Sequence, residues 1–168
     1  MYYGKIDPMS IVDGDGCRVS LFVSGCRNHC RGCFNEETWD FSYGSVFTPI
    51  EENEIIESCK KSYIAGLSIL GGDPFEEENQ ICLVDFIEKF KKKCPTKTLW
   101  MYTGYVLDRD LLFGQRKWVE GVTDRILTQV DVLVDGPFIQ AQRDLSLRFR
   151  GSSNQRLLDK ATIQSMMK

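Results

Sequence analysis

An α/β fold of mostly parallel strands is predicted for this chain of 168 residues by three observations. Strand and helix signals alternate from one end to the other, which is the pattern of strand-helix units in series. No internal repeat, low-complexity tract or Ser/Pro-rich linker interrupts them. The composition, 42% hydrophobic and 27% charged, suits one globular domain over residues 1–168 and excludes intrinsic disorder.

The elements follow in order. Arg18 to Gly25 (RVSLFVSG) places Val19, Leu21 and Val23 on one side of a strand that runs directly into a group of cysteines. Thr48-Pro49-Ile50-Glu51 is a capping box with proline in the first helical position. Ile55, Ile56, Cys59 and Tyr63 follow at helical spacing, so a helix over about 49–62 is expected. Gly66 to Leu70 reads as a buried strand closed by Gly71-Gly72-Asp73-Pro74. Glu76 to Lys93 reads as an amphipathic helix, acidic at its start and basic at its end, as the helix dipole favours. Pro95 stops it, Thr98 to Tyr102 is a third strand and Asp131 to Val134 a fourth. Residues 106–129 read as helix broken near Gly114 and Gly121, and residues 138–168 give the weakest signals.

Parallel strands joined by helical crossovers bring all strand C-terminal ends to one edge. The cysteine loop, Gly71-Gly72, Thr103-Gly104 and Asp135-Gly136 all follow strands and therefore share that edge. A closed or partial (β/α) barrel and a doubly wound sheet both place ligands there, and the pattern alone fits either.

Composition narrows the function classes. The formal charge of −3, from 21 basic and 24 acidic residues, argues against bulk phosphate binding, so no direct nucleic-acid partner is expected. Residues 1–108 hold 11 basic and 17 acidic groups, residues 109–168 hold 10 and 7, an asymmetry typical of solvated surface. No apolar run approaches the roughly 18 residues of a membrane span, and Met1-Tyr2-Tyr3-Gly4-Lys5 does not resemble a secretory signal. A soluble, cytoplasmic protein is expected.

Seven cysteines are too few for a disulfide scaffold and odd in number. Three of them, Cys26, Cys30 and Cys33, form a C-x3-C-x2-C run on a loop that Gly25 and Gly32 allow to curl. Thiolates at this spacing suit zinc or an iron-sulfur cluster, and the fourth ligand separates the two. The single histidine, His29, adjoins Cys30 and is poorly placed for the same metal. Cys17, Cys59, Cys82 or Cys94 could in principle supply a fourth ligand, but the last three read as helix or strand residues away from the loop, Cys17 precedes the first strand, and all four read as small apolar residues. An open fourth position is the simpler inference. A zinc-stabilised binding module and a small ferredoxin-like electron carrier are the rival readings.

A three-cysteine loop with an open position resembles the radical S-adenosylmethionine enzymes, whose fold is a partial (β/α) barrel. The resemblance implies a 4Fe-4S cluster on Cys26, Cys30 and Cys33, S-adenosyl-L-methionine on its free iron, and reductive cleavage to a 5′-deoxyadenosyl radical. Gly71-Gly72-Asp73-Pro74 looks like that family's loop for the methionine amino group. Closer resemblance, covering nearly the whole chain, is to the activases of anaerobic (class III) ribonucleoside-triphosphate reductase. It rests on Leu21-Phe22-Val23-Ser24-Gly25-Cys26, Gly32-Cys33-Phe34-Asn35, Thr38-Trp39, Gly71-Gly72-Asp73-Pro74, Thr103-Gly104-Tyr105, Asp131 to Phe138 (DVLVDGPF) and Arg150 to Gln155 (RGSSNQ). Two departures stand out: Asp13-Gly14-Asp15-Gly16 replaces an Asn-Gly-Pro-Gly-like turn, and the 106–129 segment is longer.

What this implies is an oxidoreductase that leaves a glycyl radical on the large reductase subunit. Flavodoxin or ferredoxin would donate the electron, and a homodimer is compatible with the pattern. Gly32, Cys33 and Phe34 would contact the cofactor, Phe34 beside the adenine, while Gly71, Gly72 and Asp73 would hold the methionine end. Loop packing is the alternative for Phe34. Asp135 and Arg150 to Gln155 would either face the reductase or perform turn chemistry. Trp39, Trp100, Met101 and Trp118 read as packing. An activase for another glycyl-radical enzyme, such as pyruvate formate-lyase, is a rival within the same family.

Overall fold

The computed structural model describes residues 1–168. Seven strands make one sheet in the order β3-β1-β2-β4-β5-β6-β7. They are β1 (Tyr2–Ser10), β2 (Cys17–Val23), β3 (Ser45–Val46), β4 (Ile64–Gly71), β5 (Thr98–Tyr102), β6 (Val132–Asp135) and β7 (Arg156–Asp159). The helices are α1 (Pro49–Cys59), α2 (Glu77–Lys93), α3 (Thr123–Gln129) and α4 (Lys160–Met166). The central pairings β2/β4, β4/β5 and β5/β6 are parallel. Those of β1 with β2 and β3, and of β6 with β7, are antiparallel.

The four parallel strands lie in chain order, with no reversal. A doubly wound sheet reverses at a switch point, which these four strands lack, and β3 and β7 form the two edges of the sheet. The expectation of mostly parallel strands therefore holds for the middle of the sheet. The flanks depart from it: β1 turns back onto β2 through residues 11–16, too short for a parallel crossover, and the longer segments 24–44 and 136–155 return β3 and β7 antiparallel without a crossover helix.

One face of the sheet carries the helices. Val19, Leu21 and Val23 of β2, Leu67 and Ile69 of β4, Leu99 and Met101 of β5 and Leu133 of β6 join residues of all four helices in a single cluster of 27 buried side chains. The middle of α2 contributes through Leu83, Val84, Phe86, Ile87 and Phe90. Local signals set the ends. Thr48 and Glu51 cap α1 reciprocally, and Asp159 accepts the Thr162 N–H at the start of α4. The helix α1 stops at Cys59, earlier than its apolar spacing suggests, and Tyr63 lies beyond it, exposed. Between β5 and β6 only a π-type turn at Leu107–Leu111 and the short α3 are helical, with Gly114 and Gly121 in the gap.

The other face is more polar. Arg18 enters it with 1% exposure and no carboxylate within reach. Its guanidinium donates instead to Ser68 Oγ (2.8 Å), the Leu67 and Thr98 carbonyls (both 2.9 Å), Thr98 Oγ1 (3.0 Å) and the Asp15 carbonyl (3.1 Å). Burial pulls its pKa down to about 10. The group joins β2, β4 and β5 at the edge opposite the cysteine loop. Removing it leaves several buried acceptors without donors, each costing about 1–3 kcal/mol where water cannot enter. Arg18→Ala is expected to lose roughly 3 kcal/mol of unfolding free energy, read as a lower urea midpoint at unchanged slope; a midpoint equal to that of the parent would contradict this.

Candidate functional site: the cysteine loop at the strand ends

The parallel strands deliver four loops to one edge, as their order requires. The first, after β2, carries the cysteines. It is pinned where it leaves the strand: Gly25 N–H donates to the Thr38 carbonyl (2.8 Å) and Cys26 N–H to that of Trp39 (3.1 Å). Gly25 takes φ = 100°, and a Cβ there would lie 2.3 Å from the Phe41 ring, so the position admits only glycine. The loop after β4 is laid directly against it. Gly72 N–H reaches the Val23 carbonyl (2.7 Å) and Asp73 N–H the Gly25 carbonyl (2.8 Å), while a Cβ on Gly72 would come within 2.6 Å of Gly25 O. The absent side chain at Gly72 thus lets two main chains touch.

Asp73 closes the arrangement. Its side chain is wholly buried. Oδ1 accepts the Phe75 N–H (3.0 Å), and Oδ2 accepts the Gly104 N–H (2.9 Å) and Asn28 Nδ2 (3.2 Å); Thr103 Oγ1 lies 2.8 and 3.0 Å from the two oxygens. Asn28 is in the cysteine loop and Thr103-Gly104 in the loop after β5, so one carboxyl group joins three loops. The fourth is attached through Gly136 N–H, which donates to the Tyr105 carbonyl (2.9 Å).

All seven cysteines are free. Cys26 is buried, Cys30 and Cys33 half-buried. Burial, and then the neighbouring Asp73, push the Cys26 thiol up to about 12, although the Asn28 and His29 N–H groups nearby favour its anion. Cys30 is also raised by burial and is opposed by the Phe138 N–H. Cys33 Sγ accepts the Asn35 N–H at 3.4 Å. No three His, Cys, Asp or Glu side chains converge as ligands of a single ion; thiolates of a cubane cluster each hold a different iron and stand apart. Three soft sulfur donors on one loop, with the Cys33 sulfur accepting a main-chain N–H, fit a 4Fe-4S cluster, since such hydrogen bonds stabilise cluster-bound sulfur. Bound iron would also remove the thiol protons that burial otherwise retains.

His29 is exposed and stacks on Trp39 with ring centroids 4.7 Å apart. Phe34 is 62% exposed, 5.5 Å from Phe138 and under the Arg143 guanidinium at 5.3 Å. Gly32 faces the Gln140 side chain. Gly71, at φ = 104°, ends β4. The two readings of the later segments separate. Asp135 is wholly buried, accepting from Leu107 N–H (2.8 Å) and Arg156 (2.9 and 2.5 Å), which is turn chemistry. Gln155 accepts the Gly151 and Ser152 N–H groups and donates to the Gly136 carbonyl, and Asn154 Nδ2 donates to that of Pro137. Trp100 and Met101 pack in the interior, and Cys59 and Cys94 behave as core residues, but Cys82 is exposed on α2 against the expectation of an apolar role. Asn28 and Glu76 were not singled out from the sequence as parts of the site, and Thr103 and Phe138 were named only within a loop at the shared edge and within motifs, with no contact to the cysteine loop assigned to them. Only the three-residue spacing of Asp73 and Glu76 could have signalled a second acid beside the loop.

Burial pushes the Asp73 carboxyl up to about 7. The unfolded chain ionises near 3.9, so between about pH 4 and 7 the native state holds the extra proton and stability falls as pH rises. Asp73→Asn is expected to flatten that part of the stability profile of the iron-free protein, measured by thermal unfolding across the range. An unchanged slope would refute the assignment.

Known proteins resemble this chain over most of its length. Residues 12–158 match the family described as a 4Fe-4S single cluster domain. The anaerobic ribonucleoside-triphosphate reductase-activating protein of Haemophilus influenzae is 42% identical over 157 residues, covering 92% of this chain and 96% of that protein. Its counterpart from Escherichia coli K12 is 38% identical over the same shares, and that of Enterobacteria phage T4 is 38% identical over 94% of this chain and 93% of its own. Identity at this level over nearly full length on both sides shows that the chain belongs to the family of anaerobic ribonucleoside-triphosphate reductase-activating proteins.

Proposed function

We propose that this protein activates anaerobic ribonucleoside-triphosphate reductase by reductive cleavage of S-adenosyl-L-methionine at a 4Fe-4S cluster held by Cys26, Cys30 and Cys33. The observation that carries the reading is the placement of three thiols on one loop, braced main chain to main chain against Gly72 at the C-terminal edge of parallel strands. When bound, the cluster would supply one electron to the sulfonium, releasing methionine and a 5′-deoxyadenosyl radical that takes a hydrogen atom from a glycine of the large reductase subunit.

This chain's residues supply position. Gly71 and Gly72 keep side chains out of the seam beside the cysteine loop, where the methionine end would lie. Asp73, wholly buried, holds that seam closed through Asn28, Thr103 and Gly104. Gly32, Cys33 and Phe34 border the outer side, and the exposed Phe34 ring offers a flat surface for adenine. The unreversed order of β2, β4, β5 and β6 supports a partial barrel of the radical S-adenosylmethionine type, with residues 1–168 as a single domain of that type. No general acid or base is required, in keeping with a site that has one exposed histidine. No helix is long and apolar enough to cross a membrane. A cytoplasmic protein fed by flavodoxin or ferredoxin, as monomer or homodimer, completes the reading.

Anaerobic reconstitution with iron and sulfide, reduction by dithionite and addition of S-adenosylmethionine should give methionine and 5′-deoxyadenosine by chromatography, with an altered cluster EPR spectrum. A colourless, zinc-loaded protein without deoxyadenosine would overturn the proposal. Cys30→Ala is expected to lose at least about 100-fold in deoxyadenosine formation while keeping its circular dichroism spectrum, because the main-chain bonds that pin the loop to Thr38, Trp39 and the Gly72-Asp73 turn do not use that thiol. Retained cleavage by two cysteines would contradict the cluster assignment. Added reductase should acquire a glycyl EPR doublet, and a doublet on pyruvate formate-lyase instead would redirect the partner.

A further inference from the structure

Glu76 occupies the N-cap position of α2, yet its side chain makes no cap hydrogen bond to its own helix. The carboxylate turns to the cysteine loop. Oε1 accepts the main-chain N–H of Arg27 at 2.8 Å and the Tyr105 hydroxyl at 2.6 Å. Oε2 accepts the Arg27 guanidinium at 2.7 Å and the Lys117 ammonium at 2.6 Å. The side chain is wholly buried. Glu78, two residues on, accepts from both terminal guanidinium nitrogens of Arg27, at 3.0 and 2.6 Å, and the guanidinium lies 4.2 Å from the Phe41 ring centroid.

A salt bridge that served only to hold α2 would have no use for a main-chain donor. The Arg27 N–H belongs to the peptide unit that begins at Cys26, so fixing it fixes the plane from which the Cys26 side chain departs. Asp73 holds the next residue, Asn28. Lys117 comes from the stretch between Leu111 and α3 that is longer than expected, and it links that stretch to the loop through the same carboxylate. Opposing charges are satisfied on both sides, which makes so deeply buried a carboxylate tenable.

Resting on the function proposed above, we propose that Glu76 is the positioning residue of the first cluster cysteine, holding the Cys26-Arg27 peptide against α2 and against the Lys117 segment. Asn28 and Asp73 make a second, independent hold on the neighbouring residue. Glu76→Gln keeps an acceptor for the Arg27 N–H and loses the charge. Glu76→Asp keeps the charge but is one methylene short of that N–H, and Glu76→Ala loses both.

Two measurements on the full chain test this. Amide hydrogen exchange at Arg27, read by NMR on the iron-free protein, should quicken about tenfold or more in Glu76→Ala and Glu76→Asp and stay within about threefold of the parent in Glu76→Gln. After anaerobic reconstitution, iron release to a ferrous chelator should follow the same order, where a general loss of stability would instead track the thermal midpoint. Unchanged Arg27 exchange in Glu76→Asp, or iron release from Glu76→Gln as fast as from Glu76→Ala, would overturn the proposal. A parent protein that takes up no cluster would defeat the function proposed above, and the exchange result on the iron-free chain would still decide the brace.

Discussion

A carboxyl group without water must find donors in the protein, and Asp73 finds them in three loops that are far apart in the chain. Residues 28, 73 and 103 to 104 meet at its two oxygens. Parallel strands bring loops to a common edge but leave them flexible there; a shared buried acceptor turns proximity into geometry. The main-chain contacts of Gly72 with Val23 and Gly25 then fit because nothing intervenes. The position of the cysteine loop depends on this junction, and the Phe138 and Glu76 contacts complete it from either side.

The central strands, α1 and α2 were legible because each couples a clear apolar period to a clear boundary: Thr48 with Pro49, Gly71 with Gly72, Lys93 before Pro95. The flanking strands were not. The strand β1 carries a mixed burial pattern with only Ser10 buried, and β7 buries Leu158 alone, so neither shows a strong alternation. They are strands because the sheet edge offers them hydrogen bonds, which is tertiary information.

For the site, the cysteines and the Gly-Gly turn were readable as motifs. Their supports were not, since nothing in the local sequence of Asn28, Thr103 or Phe138 distinguishes a partner in another loop from an ordinary polar or aromatic loop residue. Asp73 illustrates the difference: its type and place were readable from the turn, while its complete burial and its several donors required the fold. Gln155 is the reverse case, a polar residue of a distinctive segment whose hydrogen bonds are divided between its own turn and the Gly136 carbonyl of the loop after β6.

The contact between Phe138 and Cys30 spans more than a hundred residues of chain. During synthesis the cysteines emerge early, whereas the segment that covers Cys30 leaves the ribosome only after β6 has been made. For most of translation the three thiols therefore stand on a loop that lacks its last wall, exposed to oxidants and stray metal ions. On the function proposed above, assembly of the centre would thereby be tied to synthesis of the chain past β6, and a product truncated before Phe138 would expose the thiols without that segment.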